Sequence, residues 1–205
     1  MRVAVLGGTG SFGQAVTRRL VDAGVEVVIG SRDAERARET AAALGAEGAA
    51  NEEAVAGVDL VVLAVKSDAA VDTAHQLRAA IGATPVLSPC AELQFGPGGV
   101  RPTPEATSIA ERIQAVLDAP VAAGLHSLAA SNLTSAPPEE DALVCGDDTT
   151  AKELALELSA RLVSGRAIDC GPLASARALE GLTAVIVNVN KRYKAHAGVR
   201  LTGVS

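Results

Sequence analysis

The chain has 205 residues, a formal net charge of −6 and an apolar fraction of 48%, with one Tyr, two Phe and no Trp. That length suits one generous domain, or a domain with an extension, and its core must be built from Ala, Val and Leu. The acidic balance argues against nucleic acid or an anionic membrane as partner.

Met1-Arg2 leads directly into the apolar run Val3-Ala4-Val5-Leu6, too short for a signal-peptide core, and no stretch is long enough to span a bilayer; a cytoplasmic protein is expected. That run reads as a strand buried on both faces, and Phe12, Val16 and Leu20 recur behind it at helical spacing. Gly7-Gly8-Thr9-Gly10-Ser11-Phe12-Gly13 therefore sits at a strand-to-helix turn. As G-x-G-x-x-G, Gly8 permits the tight turn, Gly10 lets the backbone approach a pyrophosphate, and Gly13 lets the helix pack close to the strand. The N–H groups at the helix start then face the phosphates.

A second strand, 25–29, ends at Gly30-Ser31-Arg32. An NAD site would place a carboxylate here for the ribose hydroxyls. A hydroxyl and a guanidinium suit a 2′-phosphate instead, and Arg36, one turn beyond Arg32, adds a second charge. The cofactor implied is NADP(H).

A helix follows over 33–44, then a short strand within 45–50, a short helix over 51–55 and the strongest strand signal, 60–65. This last strand is expected on the other side of the first, forming the dinucleotide crevice, so the residues just after it, 66–71, Ser67 and Val71 among them, are candidates to touch the cofactor, together with Val65 at the strand's end. A helix over 68–81 and a strand over 84–88 come next. Pro89, Pro97, Pro102, Pro104, Gly96, Gly98 and Gly99 then break every pattern; this long loop reads equally as a substrate-side flap or as plain surface. Cys90 lies in it, near the cofactor. A helix over 105–117, a buried strand over 121–125 ending at His126, and an exposed spacer over 132–141 precede a strand over 142–145. Asp147-Asp148 reads as a cap on the helix 149–162 rather than a metal site, and no metal is expected. A last strand spans 166–170, and the chain is helical from 172 to about 194. Cys145 and Cys170 read as small buried hydrophobes, and the three cysteines, without C-x-x-C spacing, as reduced thiols.

The pattern predicts an α/β fold: a Rossmann-like doubly wound, mostly parallel sheet with an appended C-terminal helical or small α/β extension. Residues 1–125 form the NADP-binding part and 126–205 the acceptor-side extension, within one compact unit. Acid–base candidates are few. The only Tyr, Tyr193, has no lysine at the Tyr-x-x-x-Lys spacing of short-chain dehydrogenases. His126 lies at the ligand edge of the sheet, but a lone His serves as often as a hydrogen-bonded structural group; both readings stand. His75 and His196 read as surface residues. Asn188, Asn190 and Lys191 could polarise a carbonyl, though a polar helix end is the preferred reading.

The sequence resembles the deazaflavin-dependent NADP oxidoreductases, which exchange hydride between NADP(H) and coenzyme F420. The resemblance spans nearly the whole chain and rests on residues 1–10, Gly30-Ser31-Arg32, Ser88-Pro89, Leu125-His126-Ser127-Leu128-Ala129-Ala130, Val144-Cys145-Gly146-Asp147-Asp148 and Asp169-Cys170-Gly171-Pro172-Leu173. It implies that Thr9, Gly10, Ser11 and Phe12 hold the NADP phosphates, that Ser31, Arg32 and Arg36 hold the 2′-phosphate, and that Ala130 borders the cofactor. It also implies that His126 and Leu128 lie beside the deazaflavin, His126 orienting this acceptor. On this reading the proline-rich flap and the C-terminal helix are expected to close over the acceptor, and a homodimer paired through that helix is expected. Where the family has Pro and an aromatic residue after the strand 60–65, this chain has Lys66 and Ser67, and the loop after Pro89 is altered as well. An NADPH-dependent reductase of a small carbonyl or imine, or a non-catalytic NADPH-binding sensor, are the alternatives.

Overall fold

Val3, Ala4, Val5 and Leu6 have no exposed surface, and they alternate between the two faces of a sheet, as a strand covered by helices on both sides requires. The computed structural model describes residues 1–134 and 136–204; Ser135, inside the predicted spacer, and Ser205 lie outside the described residues. The first half runs β1 (Arg2–Leu6), α1 (Ser11–Asp22), β2 (Glu26–Ser31), α2 (Ala34–Leu44), β3 (Glu47–Ala50), α3 (Asn51–Ala54), β4 (Leu60–Leu63), α4 (Ser67–Ile81) and β5 (Val86–Ser88). The second half runs β6 (Leu93–Gly96), β7 (Gly99–Pro102), α5 (Ile109–Gln114), β8 (Val121–Gly124), a 3₁₀ turn (Ala130–Leu133), β9 (Ala142–Gly146), α6 (Thr149–Leu162), β10 (Ala167–Asp169), a second 3₁₀ turn (Leu173–Ser175) and α7 (Ala176–Tyr193).

The main sheet has eight strands in the order β10-β9-β8-β5-β4-β1-β2-β3. The pairs from β3 to β8 are parallel, β8 and β9 are antiparallel, and β9 and β10 are again parallel. The reversal at β9 has a local cause. A parallel neighbour needs a crossover, usually a helix, and between β8 and β9 the described chain offers only one 3₁₀ turn. The sheet is continuous across residue 125, so the C-terminal strands extend the same layer.

Ala70, Ala74, Leu77 and Ile81 of α4, Ile109 and Ile113 of α5, and Leu179 of α7 cover one face. Val16 and Leu20 of α1 and Ala151, Ala155, Leu158 and Leu162 of α6 cover the other. Alanines let the helices approach closely, which is how a core almost without aromatic residues fills. Each fully buried Val, Leu or Ile contributes about 1.5–3 kcal/mol of transfer free energy.

Three expectations need correction. Residues 93–102 are an antiparallel hairpin, β6 and β7, joined through Pro97-Gly98, rather than a patternless loop. The helix expected over 105–117 spans only Ile109–Gln114, because Ser108 and Glu111 form a capping box that fixes its start: Ser108 Oγ accepts from Glu111 N at 3.1 Å and Glu111 Oε2 from Ser108 N at 2.7 Å. The exposed spacer is buried at both ends, with Leu133 and Asp141 at 0% exposure.

Candidate active site

The C-terminal ends of β1, β4 and β5 meet where the chain leaves β1 through the glycine turn. The positive φ of this turn, +78°, falls on Gly7, not Gly8; a Cβ on Gly7 would stand 2.5 Å from Ala64 O, so β4 closes directly onto it. Gly8 is excluded from bearing a side chain by packing, since its Cβ would meet Ile29 Cγ2 at 2.8 Å. Gly13 matches its expected role: a Cβ there would meet Gly7 O at 2.5 Å and Gly8 Cα at 2.6 Å, so α1 sits hard against the turn. Gly10 is the N-cap of α1 without a side-chain cap, and the first turn carries no acidic residue. Gly10 N donates to Gly7 O at 2.9 Å within the turn, so the N–H groups of Ser11 and Phe12 and the dipole of a twelve-residue helix are what an anion held at Thr9, Gly10, Ser11 and Phe12 would meet. Gln14 Nε2 donates to Thr9 O at 2.8 Å and holds the turn from behind.

At the end of β2, Ser31 is half-buried while Arg32 and Arg36 are exposed. Asp33 caps α2 by accepting from Arg36 N at 3.1 Å, and Ser31 Oγ accepts from Asp33 N at 3.2 Å. The cap spends the Asp33 carboxylate on the backbone and leaves both guanidinium groups open to a phosphate. Between the edges of β1, β4 and β5 lies a cavity of about 190 Å³ lined by Phe12, Ala64, Val65, Ser67, Pro89, Cys90 and Ala91. Phe12, Val65 and Ser67 are therefore brought together, whereas Val71 packs into the core beneath α4. Ala130 lies in the 3₁₀ turn that packs beside α1.

The whole chain aligns with the F420-dependent NADP reductase of Methanothermobacter thermautotrophicus at 35% identity, covering 100% of this chain and 96% of that one. The chain belongs to the F420-dependent NADP reductase family. The enzyme of the same name from Methanocaldococcus jannaschii is 31% identical over 100% of this chain and 99% of its own. The family model "NADP oxidoreductase coenzyme F420-dependent" matches residues 2–92. A solved structure of a candidate F420-dependent NADP reductase from Arthrobacter sp. FB24 superposes with a TM-score of 0.84 at 25% identity, covering 98% of this chain and 99% of that one.

In this member of the F420-dependent NADP reductases, the residues beyond those that the family model matches are held by a second set of contacts. His126 follows Leu125, whose φ of +67° is a strained value for a bulky residue. Leu128 N donates to Leu125 O at 3.0 Å, so residues 125–128 form a tight turn that folds His126 back from the sheet edge. His126 is buried; Nε2 donates to Cys90 O at 3.0 Å, leaving Nδ1 as a buried acceptor without a hydrogen-bond partner among the described residues. Burial pulls its pKa down to about 4, against a smaller opposing effect of the Cys90 hydrogen bond, so the ring is neutral. Its carbonyl accepts from Thr183 Oγ1 of α7 at 2.9 Å. Leu128, 6% exposed, is packed in the α1-side core cluster. The Cys90 thiol, pushed up to about 12 by burial, donates to Leu63 O at 3.2 Å and so ties the segment after β5 to the end of β4.

Asn188, Asn190 and Lys191 of α7 each have a partner. Asn188 Oδ1 accepts from Val100 N at 2.8 Å and Nδ2 donates to Val100 O at 2.6 Å, pairing with the hairpin as another strand would. Asn190 Oδ1 accepts from Ala197 N at 2.6 Å, and Lys191 Nζ lies 5.1 Å from the Phe95 ring centroid. Asp148 caps α6 at Ala151 N, and Asp147 accepts from Leu173 N at 2.9 Å. His75 and His196 are exposed. Gly7 and Thr183 are supporting residues that sequence reasoning missed, and Asn188, which the sequence offers as a carbonyl polariser or a polar helix end, instead holds the hairpin through Val100. Only Gly7 left a signal, as the extra glycine ahead of the motif.

Proposed function

We propose that this chain transfers a hydride between NADP(H) and the deazaflavin coenzyme F420. The observation that carries the reading is the cradle at the sheet edge: an uncapped α1 N-terminus, a glycine turn closed to side chains and two exposed arginines one helical turn apart. These residues suit NADP(H): residues 9–12 for the pyrophosphate, Ser31, Arg32 and Arg36 for the 2′-phosphate, and Val65 and Ser67 for the nicotinamide end, with Gly8 and Gly13 shaping the turn. When bound, NADP(H) supplies or accepts the hydride. The protein's part is to hold the two rings in contact and keep water out, which needs placement more than acid–base groups.

His126 suits the acceptor side as a neutral orienting group, with Leu128 fixing the turn that carries it. Val71 and Ala130 support the cofactor walls through packing. Residues 1–125 then act as the NADP-holding part and 126–205 as the acceptor side. The hairpin 93–102 and α7 form the flap over the acceptor. Val185, Val189 and Tyr193 make an exposed apolar stripe along α7 at 57%, 36% and 70% exposure, a surface suited to pairing two copies as a homodimer. Among the described residues no helix is long and apolar enough to cross a membrane, in keeping with a cytoplasmic enzyme.

The carbonyl or imine alternative loses its support, because Asn188, Asn190 and Lys191 are engaged with the hairpin and the helix end. The test is an absorbance assay with oxidised F420 and either NADPH or NADH. Bleaching of the deazaflavin band with NADPH, and far slower bleaching with NADH, is expected. NADPH binding without bleaching would favour the sensor reading.

A further inference from the structure

β9 and β10 pair in parallel register with Ala167 beside Ala142, Ile168 beside Leu143 and Asp169 beside Val144. The ladder continues one step, since Cys170 N donates to Val144 O at 2.6 Å. Cys170 therefore lies alongside Cys145. Side chains alternate across a sheet, and here the alternation puts both thiols on one face: Val144 belongs to the α1-side cluster, while Leu143 and Cys145 belong to the other, against which Ile168 and Cys170 also pack. Neighbouring strands are about 4.7–4.9 Å apart. That falls inside the Cα separation of roughly 4.4–6.8 Å which a disulfide accepts.

We propose that Cys145 and Cys170 are a redox modification site, a thiol pair that a peroxide-class oxidant converts into an intrachain disulfide. Cys170 is half-buried and Cys145 fully buried, so Cys170 meets the oxidant first. Its thiolate attacks one peroxide oxygen, the O–O bond breaks, and the released hydroxide takes a proton to become water. The sulfenic acid left on Cys170 is then attacked by the Cys145 thiolate; the S–S bond forms, the S–O bond breaks, and a second water leaves. The two thiols together lose two electrons and two protons, and the peroxide is reduced to two waters. Burial, then the neighbouring Cys170 thiol, push Cys145 up to about 12, and burial raises Cys170 as well. Little thiolate is present at neutral pH, so the pair responds to sustained rather than brief oxidant.

The place of the pair gives the modification a consequence. Gly171 follows at φ +92°, Gly146 N donates to its carbonyl at 3.0 Å, and Leu173 opens the turn into α7. A disulfide here locks the junction from which α7 starts, and α7 holds the carbonyl of His126 and the hairpin. The acceptor side is affected, and the dinucleotide cradle is not.

The test is peptide mapping of the full chain after hydrogen peroxide, with free thiols alkylated before non-reducing digestion. A linked peptide pair containing Cys145 and Cys170, two hydrogens lighter than the separate peptides, is expected, with Cys90 alkylated. Dithiothreitol should restore both thiols, and Cys170→Ser and Cys170→Ala should leave Cys145 as a free thiol. NADPH affinity should be unchanged by oxidation while turnover falls and recovers on reduction, with Cys170→Ser insensitive. Sulfinic acid at Cys170, a link between two chains, or no linked peptide would overturn the proposal. The mapping does not depend on the identity of the hydride acceptor.

Discussion

Arg32, just after β2, and Arg36, in the first turn of α2, are both exposed and face no acceptor within α2, because Asp33 is committed to the helix cap. A charge-assisted contact of this kind is worth about 1.5–3 kcal/mol. Arg32→Ala should therefore weaken NADPH binding roughly ten- to a hundredfold in a fluorescence titration and leave NADH nearly unchanged; equal losses would remove the 2′-phosphate role. His126 makes a different prediction. Its pKa is lowered to about 4, so it stays neutral from mildly acidic pH upward. The rate of acceptor reduction should show no inflection near the ordinary histidine value of about 6.5. A profile that rises as pH falls through that value would reinstate His126 as a general acid.

At the scale of elements, the glycine turn and the hairpin depend on close contacts that small changes disrupt. Gly13→Ala would drive a methyl into the backbone of Gly7 and Gly8, and overpacking of this order costs about 1–3 kcal/mol. Thermal unfolding should fall accordingly, and NADPH affinity should fall with it; an unaltered protein would mean that α1 can slide. Asn188→Ala removes both partners of Val100 and should cost about 1–3 kcal/mol. Amide exchange in residues 93–102 should quicken, and the KM for the acceptor should rise more than that for NADPH. β1, β2, β4 and α1 were legible because Val-rich runs and helical spacing repeat over their whole length. The hairpin was not: Leu93-Gln94-Phe95 alternates over only three residues, the glycines and prolines around it read as loop, and Val100 is held from outside by a side chain distant in sequence, Asn188. The start of α5 was misread for a different reason. Thr103-Pro104 resembles a helix entry, while the capping box five residues later decides the matter.

Over the whole molecule, the C-terminal tail is bound back onto the sheet through one buried carboxylate. Asp141 accepts from Arg166 N at 3.1 Å, Arg166 Nη2 at 2.7 Å and Leu201 N at 2.7 Å. Arg166 holds this carboxyl far below the usual carboxylate range. A depressed carboxylate stabilises the fold fully above its unfolded pKa of about 3.9 and loses that contribution as pH falls through the folded value. The wild-type chain should lose stability as pH drops below about 4. Asp141→Asn should be less stable than wild type at neutral pH and lose less on acidification, and parallel pH curves for the two would contradict this role. The topology of the dinucleotide half could be read from sequence because each parallel strand comes with its crossover helix. The reversed β9 could not, since it follows from the missing helix between β8 and β9, and the strained turn at Leu125 that aims His126 has no sequence marker at all.

The most direct test of the central claim is a single turnover with NADPH deuterated at C4 of the nicotinamide and oxidised F420, analysed by mass spectrometry of the reduced deazaflavin in ordinary water. Direct transfer between two rings held in contact places the deuterium in the deazaflavin when the transferred face carries the label, so both C4 epimers are run. One epimer should deliver deuterium and the other none. Reduced deazaflavin without label from either epimer would mean that the hydrogen comes from solvent, and the two-ring site would be wrong.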